Sequence, residues 1–443
     1  MVKANRNKYS CSNCSEQFAS WSGKCSSCGA WNTLELNSNL GATNLEGHIL
    51  DPKLLTSVET NFNESLHSRV KEINNLFGDG IVKGSIILLA GAPGVGKSTF
   101  LLQLIDQMNS TSKVLYISAE ESLNQIYLRA KRLGIDGKIM LASTNSTDDI
   151  AETIHKSDYD LVIIDSIQTI KLKSVSSSSG SVSQITNSTI LISEVAKQKN
   201  CAVILVGHIT KEGAIAGPKV LEHLVDVVLQ FEGDRYGGLK VLKALKNRYG
   251  SIDQVIILEM TEKGLQVADN PSKSLLKERL VRDGSIVHPT MEGNRPILVE
   301  IQALVATTKF GYPKRTASGF DLNRLNLLIA VLDKRTKLNL LDKDIFINVV
   351  GGLNLKEPAA DLAVAMAIAS AATNTKLIND LVVFGEVGLS GEIRHVPFIQ
   401  NRLTEALNLG FKGAIGPELA GLQNNNYYPV KDIRNVLIKF LDK

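Results

Sequence analysis

Long apolar runs and a strong charge imbalance are both missing from this 443-residue sequence. The longest nearly unbroken apolar stretch, residues 362–372, falls well short of the ~18 residues needed to span a bilayer. Residues 1–13 are polar and lack the apolar segment of a secretory signal. We therefore expect a cytoplasmic protein without membrane association. A formal net charge of +4 is too small to indicate nucleic-acid binding, so any such surface must come from local clusters of basic residues.

Cysteine is also scarce, and its placement is uneven. Four of the five cysteines lie in the first 28 residues, as two C-x-x-C pairs: Cys11, Cys14, Cys25 and Cys28. Two such pairs can supply the four corners of a tetrahedral Zn²⁺ site. Unrelated free thiols and a redox-active pair are the alternatives. The fifth cysteine, Cys201, opens an apolar run and is interpreted as a core residue.

Composition divides the chain into four parts. Residues 1–35 predict a zinc-binding ribbon, and residues 36–60 a linker. Residues 61–265 alternate short aliphatic runs with amphipathic stretches, which predicts an α/β sheet with helices on both faces. The runs are Ile86–Ala90, Val114–Ile117, Leu161–Asp165 and Ala202–Gly207, and residues 98–108 predict the first amphipathic helix. Residues 174–183 are rich in serine and predict a mobile loop. A second α/β block occupies residues 266–443.

A phosphate-binding loop follows the first aliphatic run. The pattern G-x-x-x-x-G-K-[ST] is matched by Gly91, Ala92, Pro93, Gly94, Val95, Gly96, Lys97 and Ser98. Glycines let backbone N–H groups curl round phosphates at a helix N-terminus. We expect the Lys97 ammonium to reach the β- and γ-phosphates of ATP and the Ser98 hydroxyl to bind Mg²⁺.

Three carboxylates are candidates for the same site. Asp165 ends an aliphatic strand downstream of the loop, where an outer ligand of Mg²⁺ is expected. A cap or turn role is the alternative for Asp165. Glu120 and Glu121 follow another strand, where a carboxylate can orient or deprotonate the attacking water. A solvated loop acid is the alternative for both glutamates.

The run from Lys83 to Thr99 and the segments VLYISAEES, LVIIDSIQT and VGHITKEGAIAGPKVLEHLVD resemble the RadA (Sms) family of bacterial DNA-repair proteins. The resemblance covers nearly the whole chain and implies a core similar to RecA recombinase, with Thr99 ending the phosphate-binding stretch. It implies that Glu120 activates water and that His208 senses the γ-phosphate; a structural histidine is the alternative for His208. The segment KNRYG resembles K-N-R-F-G, with Tyr249 in place of Phe. By resemblance, Lys246 and Arg248 act on a neighbouring subunit's ATP site; a solvated basic turn is the alternative.

Two loops of RecA-like cores face DNA. By resemblance, one corresponds to the serine-rich segment with Lys171 and Lys173, and the other to the segment with Lys211 and Lys219. Flexible, hydroxyl-bearing segments with a few lysines suit phosphate contacts without base readout. A disordered surface loop is the alternative.

The last part of the chain resembles the Lon protease domain through FDLNRLNLLIAVLDKR, VVGGLNLKEPAADLAVAMAIAS and FGEVGLSGEIRHVP. The nucleophilic serine of that domain is replaced by Ala359 and its lysine base by Gln400, so peptide hydrolysis is not expected. Lys314 and Arg315 lie in a basic cluster with aromatic neighbours. This cluster is interpreted as part of a DNA-contact and oligomerisation surface, and a solvated basic face is the alternative.

The leading functional hypothesis is a DNA-dependent ATPase and helicase in homologous recombination. By resemblance it forms a homo-oligomeric, hexameric ring, acts on single-stranded and branched DNA, and cooperates with RecA recombinase. ATP, Mg²⁺ and Zn²⁺ are the expected cofactors. A RecA-like signalling ATPase without motor activity is one alternative. An ATP-dependent protease is another, and the alanine and glutamine named above oppose it.

Overall fold

The computed structural model of the protein describes residues 9–36, 54, 65–108, 112–135, 139–208, 220–233, 239–308, 311–377, 380–419 and 424–441. Two compact units divide the chain, residues 1–61 and residues 62–443. Within these described ranges, no helix combines the length and apolarity required to cross a membrane.

The first unit contains a small antiparallel sheet. Its strands, in the spatial order β2-β1-β3, are β1 (Tyr9–Cys11), β2 (Gln17–Phe18) and β3 (Leu34–Leu36). The buried cluster beneath it consists of Cys11, Cys25 and Leu34, with Tyr9 and Phe18 packed against it. So small an apolar core cannot hold a fold alone, which leaves the cysteines to do so through a metal.

The second unit begins with a nine-stranded sheet and a small hairpin. The hairpin pairs β4 (Ser65–Leu66) with β5 (Ile81–Val82). The sheet has the order β14-β13-β12-β11-β6-β10-β9-β7-β8. Its strands are β6 (Ile86–Gly91), β7 (Val114–Ser118), β8 (Met140–Ser143), β9 (Leu161–Asp165), β10 (Ala202–His208), β11 (Val227–Glu232), β12 (Leu239–Asn247), β13 (Val255–Thr261) and β14 (Gly264–Val267). The four aliphatic runs predicted as strands lie in β6, β7, β9 and β10.

Helices cover both faces of this sheet. They are α1 (Lys71–Phe77), α2 (Lys97–Asp106), α3 (Leu123–Arg132), α4 (Thr147–Lys156), α5 (Val182–Gln198) and α6 (Val220–Leu224). One buried cluster joins α1, α2 and α3 to one face, and a second joins α4, α5 and α6 to the other. Parallel strands buried on both faces read as continuous aliphatic runs, which explains why β6, β9 and β10 were recognisable.

The serine-rich segment is more ordered than the sequence predicts. Val182 and Ser183 belong to α5, and Ser181 caps that helix by accepting from the N–H of Gln184. The buried Gln184 amide donates to the carbonyl oxygens of Val175 at 2.7 Å and Ser177 at 3.0 Å. The composition predicts a mobile loop, but the hydrogen bonds of the Gln184 side chain hold its backbone in one conformation.

The remainder of the second unit forms a seven-stranded sheet with the order β17-β18-β16-β15-β19-β22-β23. The strands are β15 (Ser285–Glu292), β16 (Arg295–Thr307), β17 (Arg315–Ser318), β18 (Lys343–Val349), β19 (Leu381–Val383), β22 (Gly413–Pro417) and β23 (Tyr427–Val430), and a separate hairpin consists of β20 (Glu386–Val387) and β21 (Ile393–Arg394). The helices are α7 (Pro271–Leu276), α8 (Leu322–Arg335), α9 (Asp361–Thr373), α10 (Ile399–Asn408) and α11 (Ile433–Phe440), and a 3-10 turn spans Pro358–Ala360.

Helix α9 carries the longest apolar run of the sequence. Its residues 361–370 are all buried, and they pack between the seven-stranded sheet and α8. A helix that is apolar all round belongs to a protein core, which accounts for the run without a membrane.

The two sheets of the second unit share a core. Leu239, Val241 and Ile257, on β12 and β13, belong to the same buried cluster as Ile286 and Ile297 on β15 and β16. Strand β14 crosses the predicted boundary between residues 265 and 266. The ATPase part and the C-terminal part therefore pack directly against each other.

Candidate nucleotide and metal sites

The phosphate-binding loop connects β6 to α2. Gly94 and Gly96 have φ values of +79° and +118°, and only glycine adopts this region without strain. A Cβ on Gly91 would lie 2.8 Å from the carbonyl oxygen of Phe231, on the neighbouring β11. The start of the loop therefore packs closely against β11, and the loop continues directly into the N-terminus of α2.

The Lys97 ammonium lies over this loop. Its Nζ donates to the carbonyl oxygens of Gly91 at 2.8 Å and Ala92 at 3.1 Å, and lies 3.2 Å from His208 Nδ1. Burial lowers the pKa of Lys97 to about 8, although Asp165 and Glu120 favour its charged form. The phosphates of ATP would supply the negative charge that this buried cation lacks.

A metal-binding pair of oxygens adjoins the lysine. Ser98 Oγ donates to Asp165 Oδ2 at 2.8 Å, across the gap between α2 and the end of β9. Hydroxyl and carboxylate oxygens are the donors that Mg²⁺ prefers, so these residues fit the ion. When bound, Mg²⁺ would neutralise charge on the β- and γ-phosphates.

The two adjacent glutamates have different surroundings. The carboxylate of Glu120 accepts a hydrogen bond from Ser166 Oγ and lies 3.4 Å from His208 Nε2. Glu121 instead pairs with Arg129 Nη2 at 2.6 Å. Glu120 therefore faces the nucleotide site beside His208, whereas Glu121 is held by a helix α3 cation. The sequence did not point to Ser166 or Arg129, which lie 46 and 8 positions from their partners.

Lys246 and Arg248 lie at the opposite edge of the same sheet. Lys246 pairs with Val228 on β11, which is level with Leu88, the third of the six residues of β6. Lys246 Nζ donates to the carbonyl oxygens of Glu222 and Val225 at 2.6 and 2.7 Å, and Arg248 Nη1 lies 3.0 Å from Asp226 Oδ1. Burial and the nearby Arg248 lower the pKa of Lys246. These cations are not brought together with Lys97.

The predicted DNA-contacting residues fall in three places. Lys171 and Lys173 are exposed, just beyond β9. Lys314 and Arg315 lie at β17, the edge strand of the seven-stranded sheet; Lys314 Nζ lies 6.0 Å from the centre of the Phe346 ring, and Arg315 Nη1 donates to Asn326 Oδ1 at 3.1 Å. Lys211 and Lys219 lie outside the described residues.

The four N-terminal cysteines converge on one point. Their sulfur atoms all lie within 4.8 Å of one another, with Cys11–Cys28 and Cys14–Cys25 separations of 3.7 Å. Tetrahedral zinc with bonds of about 2.3 Å places its sulfurs about 3.8 Å apart, so the thiolates fit Zn²⁺. The Thr33 side chain, hydrogen-bonded to Cys11, lowers the pKa of that thiol to about 6. Zinc would supply the crosslink that this small unit needs.

The protease-like centre contains an ion-pair network that the sequence did not reveal. Ala359 is buried and Gln400 is exposed. Buried Arg402 pairs with Glu357 at 2.5 Å, and His288 Nε2 lies 3.3 Å from the same carboxylate. Although burial opposes it, these two partners hold the pKa of Glu357 well below its usual range. Glu357 therefore stays ionised between two partners from other elements of this part of the chain.

Three family models match separate parts of the chain. Residues 9–35 match the rubredoxin metal binding domain, residues 52–214 match the AAA domain, and residues 326–419 match the family of subunit ChlI of Mg-chelatase. A solved structure titled crystal structure of the RadB recombinase covers 45% of this chain and 97% of its own, at 20% identity and a TM-score of 0.37, a similarity too low to bear on function.

Full-length relatives carry a common name. DNA repair protein RadA of Aquifex aeolicus is 45% identical, with 98% of each chain covered. The proteins of that name from Bacillus subtilis and Pseudomonas aeruginosa are 44% and 43% identical, with 93% and 94% of this chain and 92% and 94% of theirs covered. The predicted fold class and the predicted Zn²⁺, ATP and Mg²⁺ are confirmed, while the roles of individual residues stay predictions. The chain belongs to the family of DNA repair protein RadA.

Proposed function

We propose that the protein is a DNA-dependent ATPase and helicase that acts in DNA repair and homologous recombination as a homo-oligomeric ring. The observation that carries the proposal is that the cationic residues predicted to act on ATP lie at opposite ends of the strands of one sheet. Lys97 lies at the carboxyl edge of β6, while Lys246 and Arg248 lie at the amino edge.

The separation between these edges supports action between subunits. Val227 and Asn247 pair with each other beside a residue of β6 that lies four positions before Gly91. At about 3.3 Å per residue, the distance along the strand is roughly 13 Å. Arg248 lies beyond Asn247 and is held by Asp226 at the far edge. Its guanidinium cannot reach the phosphate loop of its own chain, but its side chain is 55% exposed and available to a neighbour. Head-to-tail contacts of this kind form a ring when the rotation between successive subunits closes.

Coupling to DNA follows from where the two lysine-bearing segments begin. Asp165 and His208 end β9 and β10, and each is followed directly by one of those segments. A movement of either residue with the state of the nucleotide would be transmitted to the adjoining segment. The resemblance to RadA proteins suggests single-stranded and branched DNA as the partner, gripped by phosphate contacts, and RecA recombinase as the cooperating protein.

The domain division that we propose is a zinc ribbon at 1–35, a linker at 36–60, an ATPase domain at 61–265 and an inactive Lon-protease-like domain at 266–443. The last domain would contribute the oligomerisation surface and, through Lys314 and Arg315, further DNA contacts. A protease is opposed by Ala359 and Gln400, since a methyl group cannot attack a carbonyl and an amide cannot act as base.

The ATPase rate with and without single-stranded DNA tests the proposal. We expect stimulation at low salt, where phosphate contacts are strongest. Replacing Lys171 and Lys173 together by alanine should raise the DNA concentration for half-maximal stimulation several-fold, because two phosphate contacts are lost. Lys156→Ala, which removes an exposed helix lysine paired with Glu152, is the matched control.

Strand displacement on a forked substrate then separates a helicase from an ATPase that only binds DNA. ATP-dependent release of the labelled strand supports the motor. A rate that is indifferent to DNA, with no labelled oligonucleotide bound, would instead identify a signalling ATPase.

A further inference from the structure

Tyr116 is a buried polar residue of the ATPase core to which the sequence assigned no role. It lies on β7, where it pairs with Ile163 of β9, while Ser118 pairs with Asp165. Residues two positions apart share one face of a sheet, and their separation is about 7 Å. A phenol side chain spans a similar length, so a tyrosine at this position ends beside the carboxylate of Asp165.

The contact is made at a single oxygen atom. Tyr116 Oη donates to Asp165 Oδ2 at 2.5 Å, and Ser98 Oγ donates to the same atom at 2.8 Å. The ring of Tyr116 is packed in the cluster that joins α2 and α3 to the sheet, and only 1% of the residue is exposed. The packing of the ring therefore fixes the position of this donor.

We propose that Tyr116 is a positioning residue for the metal ion: its hydroxyl fixes the Asp165 carboxylate, and through it Ser98, in the orientation that receives Mg²⁺. The inference rests on the ATPase part of the proposed function and is independent of DNA. A phenylalanine would fill the same core volume, so packing alone does not require the hydroxyl. The hydroxyl is explained by the carboxylate that it contacts.

The physical effect is on orientation. With both donors on Oδ2, the carboxylate cannot rotate about its Cβ–Cγ bond without breaking two hydrogen bonds, and hydrogen bonds to charged groups are the stronger kind. Removing the phenol hydroxyl leaves Ser98 as the donor and frees that rotation. The metal ion must then order the carboxylate as it binds, which weakens its binding.

Mn²⁺ binding to the ADP complex, measured by electron paramagnetic resonance, tests this directly and does not depend on turnover. We expect Tyr116→Phe to bind Mn²⁺ about tenfold more weakly, equivalent to about 1.4 kcal/mol, with metal-free ADP affinity unchanged. The Mg²⁺ concentration for half-maximal ATPase activity should rise in parallel. Tyr159→Phe, at a half-buried tyrosine of the same domain, is the control, and Asp165→Asn shows the loss expected when the carboxylate itself is removed.

Binding of Mn²⁺ by Tyr116→Phe within twofold of the unaltered protein would overturn the inference. If that variant does not fold, 3-fluorotyrosine placed at residue 116 of the otherwise unaltered chain replaces it. Its ¹⁹F resonance should shift when Mg²⁺ is added to the ADP complex. A resonance that does not shift would also contradict the inference. Should the unaltered protein bind no Mn²⁺–ADP and hydrolyse no ATP, the proposed ATPase function fails instead.

Discussion

Lys97 is buried but must be positively charged to bind phosphates, and nucleotide binding should therefore depend on pH. Its ammonium is buried, which lowers its pKa to about 8. Phosphates placed against it favour the charged form and raise that pKa. Above pH 8 the free protein therefore holds a largely neutral lysine, and the ATP complex a charged one. We predict that Lys97 takes up most of a proton from solution when ATP binds at pH 8.5. At pH 7 it should take up almost none, because it is already charged in the free protein.

Calorimetry in two buffers with different ionisation enthalpies measures this uptake. The arginine of Lys97→Arg stays charged at both pH values, so the dependence on buffer at pH 8.5 should disappear in that variant. An unaltered protein whose binding enthalpy is the same in both buffers at pH 8.5 would show that Lys97 is already protonated.

Glu120 and Glu121 are adjacent in sequence but differ in their partners. Glu120 faces Ser166 and His208, whereas Glu121 is neutralised by Arg129. A general base contributes about 10²–10⁴-fold to a rate, so we predict that Glu120→Gln lowers kcat at least about a hundredfold. Glu121→Gln should cost less than about tenfold, because it weakens only an ion pair. Steady-state ATPase assays decide this, and equal losses in the two variants would contradict the assignment.

At the scale of elements, the sequence predicted those strands that a local pattern of residues determines. The strands β6, β9 and β10 were placed to within about one residue, because buried parallel strands are continuous aliphatic runs. Contacts between distant positions could not be predicted in the same way. The pairing of Arg402 with Glu357 spans 45 positions, and that of Tyr116 with Asp165 spans 49. Such partners emerge only when the strand order and register are known.

The zinc ribbon is an element whose stability depends on its metal. Its buried apolar cluster holds Leu34 and two of the four cysteines, too little to offset the entropy of ordering the chain. We predict that Cys25→Ser releases zinc and unfolds residues 9–36 but spares nucleotide binding, since the ATP site lies in the other compact unit.

Metal content by mass spectrometry and the near-ultraviolet circular dichroism of Trp21 and Trp31 report the two effects. Cys201→Ser, at the buried thiol that immediately precedes β10, should keep its full zinc content. Equal zinc in the Cys25 variant and the unaltered protein would rule out the four-thiolate site.

At the scale of the whole molecule, the C-terminal part contacts the ATPase part close to the position that the Lon-like resemblance assigns to a nucleophile. Where the resemblance places a nucleophile there is Ala359, next to the network of Glu357, Arg402 and His288. The same region also contacts the ATPase part, because Lys356 lies 3.6 Å from Glu232 at the end of β11. Strand β11 therefore contacts both this region, through Glu232, and the phosphate loop at Gly91.

The placement of Arg248 leads to a prediction about the assembly. If its guanidinium acts on the phosphate site of the next subunit, Arg248→Ala should lower kcat about a hundredfold or more, as loss of a charge-stabilising donor does. Lys97→Ala should abolish hydrolysis. Mixed in equal amounts and allowed to exchange, the two inactive variants should regain activity. An intact phosphate loop from one variant then meets an intact arginine from the other at about a quarter of the head-to-tail interfaces.

The control for this mixing is the double variant with both substitutions, which should rescue neither single variant. Activity of the mixture near a quarter of the unaltered rate supports action between subunits. If an affinity-tagged Arg248→Ala variant captures the untagged Lys97→Ala variant and the rate stays at the level of the single variants, Arg248 does not serve a neighbouring site. In that event its ion pair with Asp226 is structural, because the sheet keeps the residue roughly 13 Å or more from the phosphate loop of its own chain.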